Sequence, residues 1–571
     1  MNRFSITVLR KRLFALLCVI ISLFFLIIIR LFYVTVIWGE DLQSKAIDQW
    51  TRELPIVASR GLILDRNGVV LANNDDTYMI FARPTLIKEK EKVAETLSEI
   101  LQKPYAETYE KLEKRVSEVT LKRQVKKDVL DKVLEENVNG IYYSRDNARI
   151  YPYGDFLSQI IGFTGIDGIG QSGIEAYYEK YLRGLDGEVL YETDIIGSEV
   201  KNSTPKYVPA TDGLNVKLTI DYKIQLIVES VAEKAYYEKE PKSVSILVLD
   251  PGSGEILATT TKPSYNLNEV PRNDVELLNK VNRNAMIVDI YEPGSTFKVL
   301  TASADVEEFL LGNNAYSLNH VYSGSRYRYI DGQKIKCWSD HKNGKHSGER
   351  LVDALNNSCN PVFVDIAIKL GKERFYYYLD KFGYGKVTGI DFFGEASGML
   401  IPENYCQNVD LARIGFGQAL ACTGLQLASA TASAVNGGYY YIPHFLKEIS
   451  TNNGVICEIV NPRVKNRTIS EKASSVVAEM LESVVKNGSG KKAYIEGYRV
   501  GGKTGTAQKY ENGHIAQGKY VSSFVGFFPA NSPEYLALVV VDEPKGAYYG
   551  STVAAPYAKE VFEGIINVRE L

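Results

Sequence analysis

The sequence predicts an α+β protein in three parts: a transmembrane helix at the amino end, an elongated pedestal domain, and a larger domain with a central antiparallel sheet flanked by helices. Three observations carry this reading. One apolar run near the start is long enough to span a bilayer, the next stretch mixes β-like runs with charged amphipathic helices, and paired buried strands bracket a long helical insertion.

The 571 residues, 45% of them hydrophobic, can bury more than one core. The formal charge of -3 is spread along the chain with no basic stripe of the kind a phosphate backbone requires, which excludes nucleic acid as a partner. Arg10, Lys11 and Arg12 precede an apolar run from Leu13 to Ile29 that continues past Arg30 to Trp38. Basic residues on that side predict a cytoplasmic tail over residues 1–12 and a single-pass anchor over residues 13–38. The rest of the chain then lies outside the cell. A cleaved signal peptide fits less well, because the run exceeds a usual h-region and no small-x-small site follows.

Residues 39–210 read as the pedestal, with Lys and Glu alternating at helical spacing over 87–134. Residues 211–571 read as the sheet domain. Residues 244–249 form a buried strand, 250–254 a turn and 255–260 the return strand. Residues 521–528 and 535–541 form a second pair joined through Pro529, Asn531 and Pro533. Strands at both ends with helices between them predict one antiparallel sheet holding a helical insertion.

Chemistry concentrates in three short motifs. In Ser295-Thr296-Phe297-Lys298, a turn at Pro293 and Gly294 leads into a helix, so the Lys298 amine shares a face with the Ser295 hydroxyl. A hydroxyl nucleophile needs such a base, and partial burial makes the neutral amine accessible. The pattern alone is common: it recurs at Ser198/Lys201, Ser203/Lys206, Ser339/Lys342 and Ser489/Lys492. The second motif is Ser358-Cys359-Asn360, and Ser317-Leu318-Asn319 matches it as a polar turn. The third, Lys503-Thr504-Gly505-Thr506, follows Val500, Gly501 and Gly502 on a strand where glycine lets a substrate backbone approach. Order and spacing make the set specific, with the second and third motifs 63 and 208 residues after Ser295.

With these motifs the chain resembles a class B penicillin-binding protein, a monofunctional peptidoglycan D,D-transpeptidase similar to division-specific and sporulation-specific members. Arg60-Gly61-Leu62-Ile63-Leu64-Asp65-Arg66-Asn67-Gly68, Gly173-Ile174-Glu175 and Leu182-Arg183-Gly184 resemble the amino-terminal signatures of that class. Arg149, Tyr151, Pro152, Gly154, Gly415, Gly417 and Gln418 fit its pattern too. Read from the residues alone, the first signature is a hairpin with an Asn67-Gly68 turn and ion pairs on Arg60 and Asp65.

The resemblance implies Ser295 as nucleophile on the carbonyl between the two terminal D-alanines of a stem peptide, and Lys298 as general base. Ser358 relays a proton with Lys298 and Lys503, and Asn360 bonds the donor backbone. Lys503, Thr504 and Thr506 in the Lys-Thr-Gly strand around Gly505 anchor the terminal carboxylate. The amides of Ser295 and Thr506 form the oxyanion hole. It implies covalent inhibition by β-lactams, no cofactor for acyl transfer, and partnership with a membrane-embedded glycosyltransferase and the division or sporulation complex.

One departure lies at Cys359, with Cys337, Asp340, His341 and His346 upstream. Cys337, His346 and Cys359, with Asp340 or His341 as the fourth, are the ligand types of a closed zinc site. A Cys337–Cys359 disulfide beside the catalytic motif is the second reading, supported by resemblance to sporulation-specific members with paired cysteines there. Two unrelated thiols are the third. Cys18, Cys406, Cys422 and Cys457 read as small hydrophobes.

Rival functions share parts of this signal. A class A β-lactamase adds a glutamate with an asparagine four residues on, whereas Glu403 is followed by Gln407. A sensor needs several membrane helices. A non-catalytic β-lactam-binding scaffold has no reason to keep three motifs. A D,D-carboxypeptidase, using water as acceptor, needs the same side chains.

Overall fold

The computed structural model describes residues 6–42, 51–192, 206–341, 346–511 and 514–570. It divides into two compact units, Met1–Ala58 with Leu185–Asp212, and Ser59–Gly184 with Gly213–Leu571.

In the first unit, Ile6–Phe32 is helical and continues through a π-turn at Tyr33–Ile37. This helix is long and apolar enough to cross a membrane. It takes in Arg10, Lys11 and Arg12, good helix formers that the sequence reading left outside the span. A three-stranded antiparallel sheet of Thr51–Ile56, Gly187–Glu192 and Lys206–Val208 completes the unit.

The second unit begins with the Ile63–Leu64 and Val70–Ala82 hairpin, whose Gly68 has φ +89°. Asp65 shapes its turn. Its Oδ1 accepts from Asn67 N and Val69 N at 2.8 and 2.7 Å and its Oδ2 from Tyr222 N at 3.1 Å. Among the described residues Asp65 forms no ion pair. Arg60 does, donating to Glu175 at 2.7 Å and reaching Glu179 at 2.7 Å, while Arg149 holds the other oxygen of Glu175 at 2.6 Å. Glu175 is fully buried, so two guanidinium groups compensate it.

Helices Lys90–Leu101, Tyr105–Glu113 and Lys127–Glu135 follow around Leu97, Leu112, Leu121 and Leu130. The expected helical stretch over 87–134 is broken by a strand, Val119–Val125, which pairs with Val70–Ala82. Its charged residues hide the strand in the sequence, and pairing overrides propensity.

The central sheet is five-stranded and antiparallel, in the order Ile256–Lys262, Ser243–Leu249, Tyr535–Asp542, His514–Phe528, Gly501–Glu511. Both hairpins expected from the sequence are present. Strand periodicity divides the core: Val244, Ile246, Val248, Ala537, Val539 and Val541 pack under helices Tyr222–Lys239 and Ala555–Arg569. Leu247, Leu249, Leu536, Leu538, Val525 and Phe527 face the opposite core, which contains helices Lys298–Leu310 and Gly424–Val435. The Lys-Thr-Gly strand is therefore an edge strand, with its free side open to the cleft.

Candidate active site

Ser295 lies in a 3₁₀ turn, Gly294–Phe297, that opens helix Lys298–Leu310. Two glycines fix that turn. Gly294 has φ +55°, its N–H donates to Gly417 O at 3.0 Å, and a Cβ on Gly417 would sit 1.9 Å from Gly294 O. Ser295 thereby opens onto a cleft of about 950 Å³, also lined by Ser358, Asn360, Thr504 and Thr506.

Lys298 is fully buried and donates to Ser358 O, Ser358 Oγ and Asn360 Oδ1 at 2.8, 3.1 and 2.7 Å. Lys503, equally buried, reaches the same Ser358 Oγ at 3.1 Å. No carboxylate pairs with either amine among the described residues. Burial pulls Lys298 down to about 8 and holds Lys503 well below the usual lysine range, the neighbouring Lys298 charge adding to the effect. Ser358 accepts both from a left-handed position, φ +58°, at the end of helix Leu351–Asn357. The three motifs thus meet on one hydroxyl.

Thr504 Oγ1 lies 3.2 Å from Ser489 Oγ, and Thr506 Oγ1 accepts from Gly550 N at 3.0 Å. Ser489 belongs to one of the accidental S-x-x-K matches, yet the structure brings it into the cleft. The strand glycines serve packing. Cβ atoms on Gly501 and Gly502 would come 2.4 and 2.6 Å from the Phe527 and Phe524 rings, and one on Gly505 would come 2.4 Å from Ser523 Oγ.

Cys337, His341, His346 and Cys359 converge beside the cleft, with their ligand atoms all within 4.8 Å of one another. His341 Nδ1 donates to Gly324 O at 2.9 Å and turns Nε2 toward Cys359 Sγ at 3.9 Å. His346 is buried, and among the described residues its Nδ1 has no hydrogen-bond partner and lies 3.9 Å from Glu349 Oε1. The Cys359 thiol hydrogen bond lowers the Cys337 pKa and raises its own, so Cys337 ionises first. Asp340 lies outside this group, paired with Arg326, which leaves His341 as the fourth member. All six cysteines are free thiols in this structure. Trp338 links the cluster to the motif, donating from Nε1 to Ser358 O at 3.1 Å. The sequence reading missed Trp338 and also Glu292, a carboxylate in the cleft wall with no motif to mark it.

A nucleophile turn, two buried amines on one serine and an edge strand beside them define a serine acyltransferase of the penicillin-recognising type. The penicillin binding protein transpeptidase domain matches residues 244–563, and the penicillin-binding protein dimerisation domain matches residues 55–218. The chain belongs to the class B penicillin-binding proteins. It is 37% identical to stage V sporulation protein D of Bacillus subtilis over 562 residues, covering 97% of this chain and 85% of the relative. It is 29% identical to peptidoglycan D,D-transpeptidase FtsI of Escherichia coli K12, covering 98% and 92%. A peptidoglycan synthetase from Bifidobacterium adolescentis superposes with TM-score 0.73 at 26% identity, covering 91% of this chain and 97% of that one.

Proposed function

We propose that this chain is a peptidoglycan D,D-transpeptidase of division or spore-cortex synthesis, acting through an acyl-enzyme on Ser295. The convergence of Lys298 and Lys503 on Ser358 Oγ supports this reading above all. A lysine brought to about 8 by burial has a usable neutral fraction near neutral pH. It takes the Ser295 proton as Oγ attacks the penultimate D-alanine carbonyl. Ser358 then passes a proton to the departing D-alanine amine as the C–N bond breaks. Asn360 aligns the donor backbone, and Lys503, Thr504 and Thr506 around Gly505 hold the terminal carboxylate. The amides of Ser295 and Thr506 hold the developing oxyanion. An amine from a neighbouring stem takes the acyl group, and β-lactams acylate the same serine.

In this reading residues 211–571 form the catalytic domain on a pedestal of residues 39–210. The amino terminus is cytoplasmic and the catalytic part lies outside the membrane. A membrane-embedded glycosyltransferase of the division or sporulation complex supplies the glycan strands. Fluorescent penicillin tests the chemistry: wild type labels covalently and Ser295→Ala does not, whereas a folded wild type that fails to label defeats the proposal.

Cys337, His341, His346 and Cys359 are proposed to hold a structural zinc ion that pins the Ser358–Asn360 loop from outside the reaction. Two sulfurs and two imidazoles are a closed-site donor set, and His346 Nδ1, which makes no hydrogen bond among the described residues, and the Gly324-oriented His341 fit it. Metal analysis of purified protein should find about one zinc per chain, absent from the Cys337→Ser/Cys359→Ser variant. Zinc-free protein whose intact mass lacks two hydrogens supports a disulfide instead.

A further inference from the structure

The buried amines account for attack on the donor, but the second half-reaction needs a different group. The acceptor is an amine that arrives as an ammonium ion, and it must compete with water for the acyl-enzyme. Lys334, Lys336 and Arg413 line the cleft as cations, and a cationic wall repels an ammonium. Glu292 is the single acid among the described residues of that lining.

Glu292 is also left half satisfied. Its Oε1 accepts from Ala419 N at 3.0 Å, whereas its Oε2 is buried with no hydrogen-bond partner, and no lysine or arginine pairs with it among the described residues. A buried, half-bonded carboxylate is costly unless something completes it. It stands three residues before the nucleophile, with only the Pro293–Gly294 turn between them. Burial raises its pKa above the usual glutamate range, a shift that a bound cation would reverse.

We propose that Glu292 is the acceptor-binding residue of this cleft, receiving the ammonium group of the incoming stem and thereby favouring aminolysis of the acyl-enzyme over hydrolysis. This rests on the transpeptidase reading above. Glu292 holds the ammonium, which gives one proton through Ser358 to neutral Lys298, and the neutral nitrogen attacks the acyl carbonyl. The C–N bond forms, and the C–Oγ bond to Ser295 breaks. The surplus proton on nitrogen passes through Ser358 to Ser295 Oγ, and Lys298 returns its proton to solvent while Glu292 stays ionised. Charge and atoms balance without a further reactant.

Glu292→Gln tests this while keeping an oxygen for the Ala419 N–H. The detergent-solubilised full chain is first acylated with a thioester analogue of the donor stem. Partition is then measured between water and two acceptors: a lysine side-chain amine, charged at neutral pH, and hydroxylamine, largely neutral there. The variant should lose at least about tenfold in the aminolysis-to-hydrolysis ratio for the charged amine, the scale of one charge-assisted hydrogen bond, and less than about twofold for hydroxylamine. Glu292→Asp, which keeps the charge, should restore part of the loss. Equal losses for both acceptors would reduce Glu292 to a structural support of the turn, and no loss for either would also overturn the proposal. Failure of penicillin to acylate the wild type strikes the transpeptidase reading itself and this inference with it.

Discussion

Two buried polar networks lie in the same unit and differ in one respect. Beside the amino-terminal hairpin, Arg60 and Arg149 surround Glu175, so each buried charge has its opposite within hydrogen-bonding reach. In the cleft, Lys298 and Lys503 share Ser358 with no carboxylate partner among the described residues. Compensated charge holds a fold in one arrangement. Uncompensated amines are pushed toward their neutral forms, and a neutral amine is what a serine nucleophile needs. The contrast separates a network that stabilises from one whose cost is carried for reactivity.

The largest expected effect comes from the cleft. Ser295→Ala and Lys298→Met should each lower the penicillin acylation rate by roughly 10⁴-fold or more. Lys298→Met should leave the thermal midpoint unchanged or higher, because it replaces a desolvated amine with an apolar side chain. A marked fall in midpoint would mean that the cleft network also stabilises the fold. Glu175→Gln should do the reverse, costing about 3–5 kcal/mol in denaturant unfolding by leaving the Arg149 guanidinium uncompensated and Arg60 with Glu179 alone. Acylation per folded molecule should stay at the wild-type rate, and a parallel loss would erase the distinction between the networks.

Gly505→Ala tests the wall between them and the substrate. Its Cβ would fall 2.4 Å from Ser523 Oγ, so overpacking should cost about 1–3 kcal/mol and displace the Lys-Thr-Gly strand. Acylation and stability should fall together there, unlike in either network. The smallest effect is the pH profile. In the proposed role of base Lys298 works only when neutral, so with its pKa near 8 acylation should rise about tenfold per pH unit below that point and level off above it. The same profile should persist in Glu175→Gln, and a rate independent of pH would remove Lys298 from the role of base.

Much of this was legible from residue order. S-x-x-K, S-x-N and K-T-G carry reactive groups at fixed local spacing, and strand periodicity marked both hairpins of the central sheet. The ligand types of the Cys/His cluster were legible too, but the choice between Asp340 and His341 was not. It depended on Arg326, which claims the aspartate across a turn. Gly501 and Gly502 read as room for a substrate backbone, but the structure places an internal phenylalanine ring against each of them. Asp65 looked like half of an ion pair because a sequence does not show that backbone amides will satisfy it. Glu292 left no pattern, since one carboxylate acquires meaning only from the cations and the unfilled bond around it.

Trp338 gives the molecule a spectroscopic property. The chain holds three tryptophans, and the other two, Trp38 and Trp50, precede residue 51. A chain beginning at Thr51 would carry a single indole, hydrogen-bonded to the carbonyl of Ser358, adjacent to Cys337 and with its ring 6.1 Å from that of His346. Its emission would respond to events on either side, the arrival of an acyl group in the cleft or of a metal behind it, so both occupancies become readable in unlabelled protein.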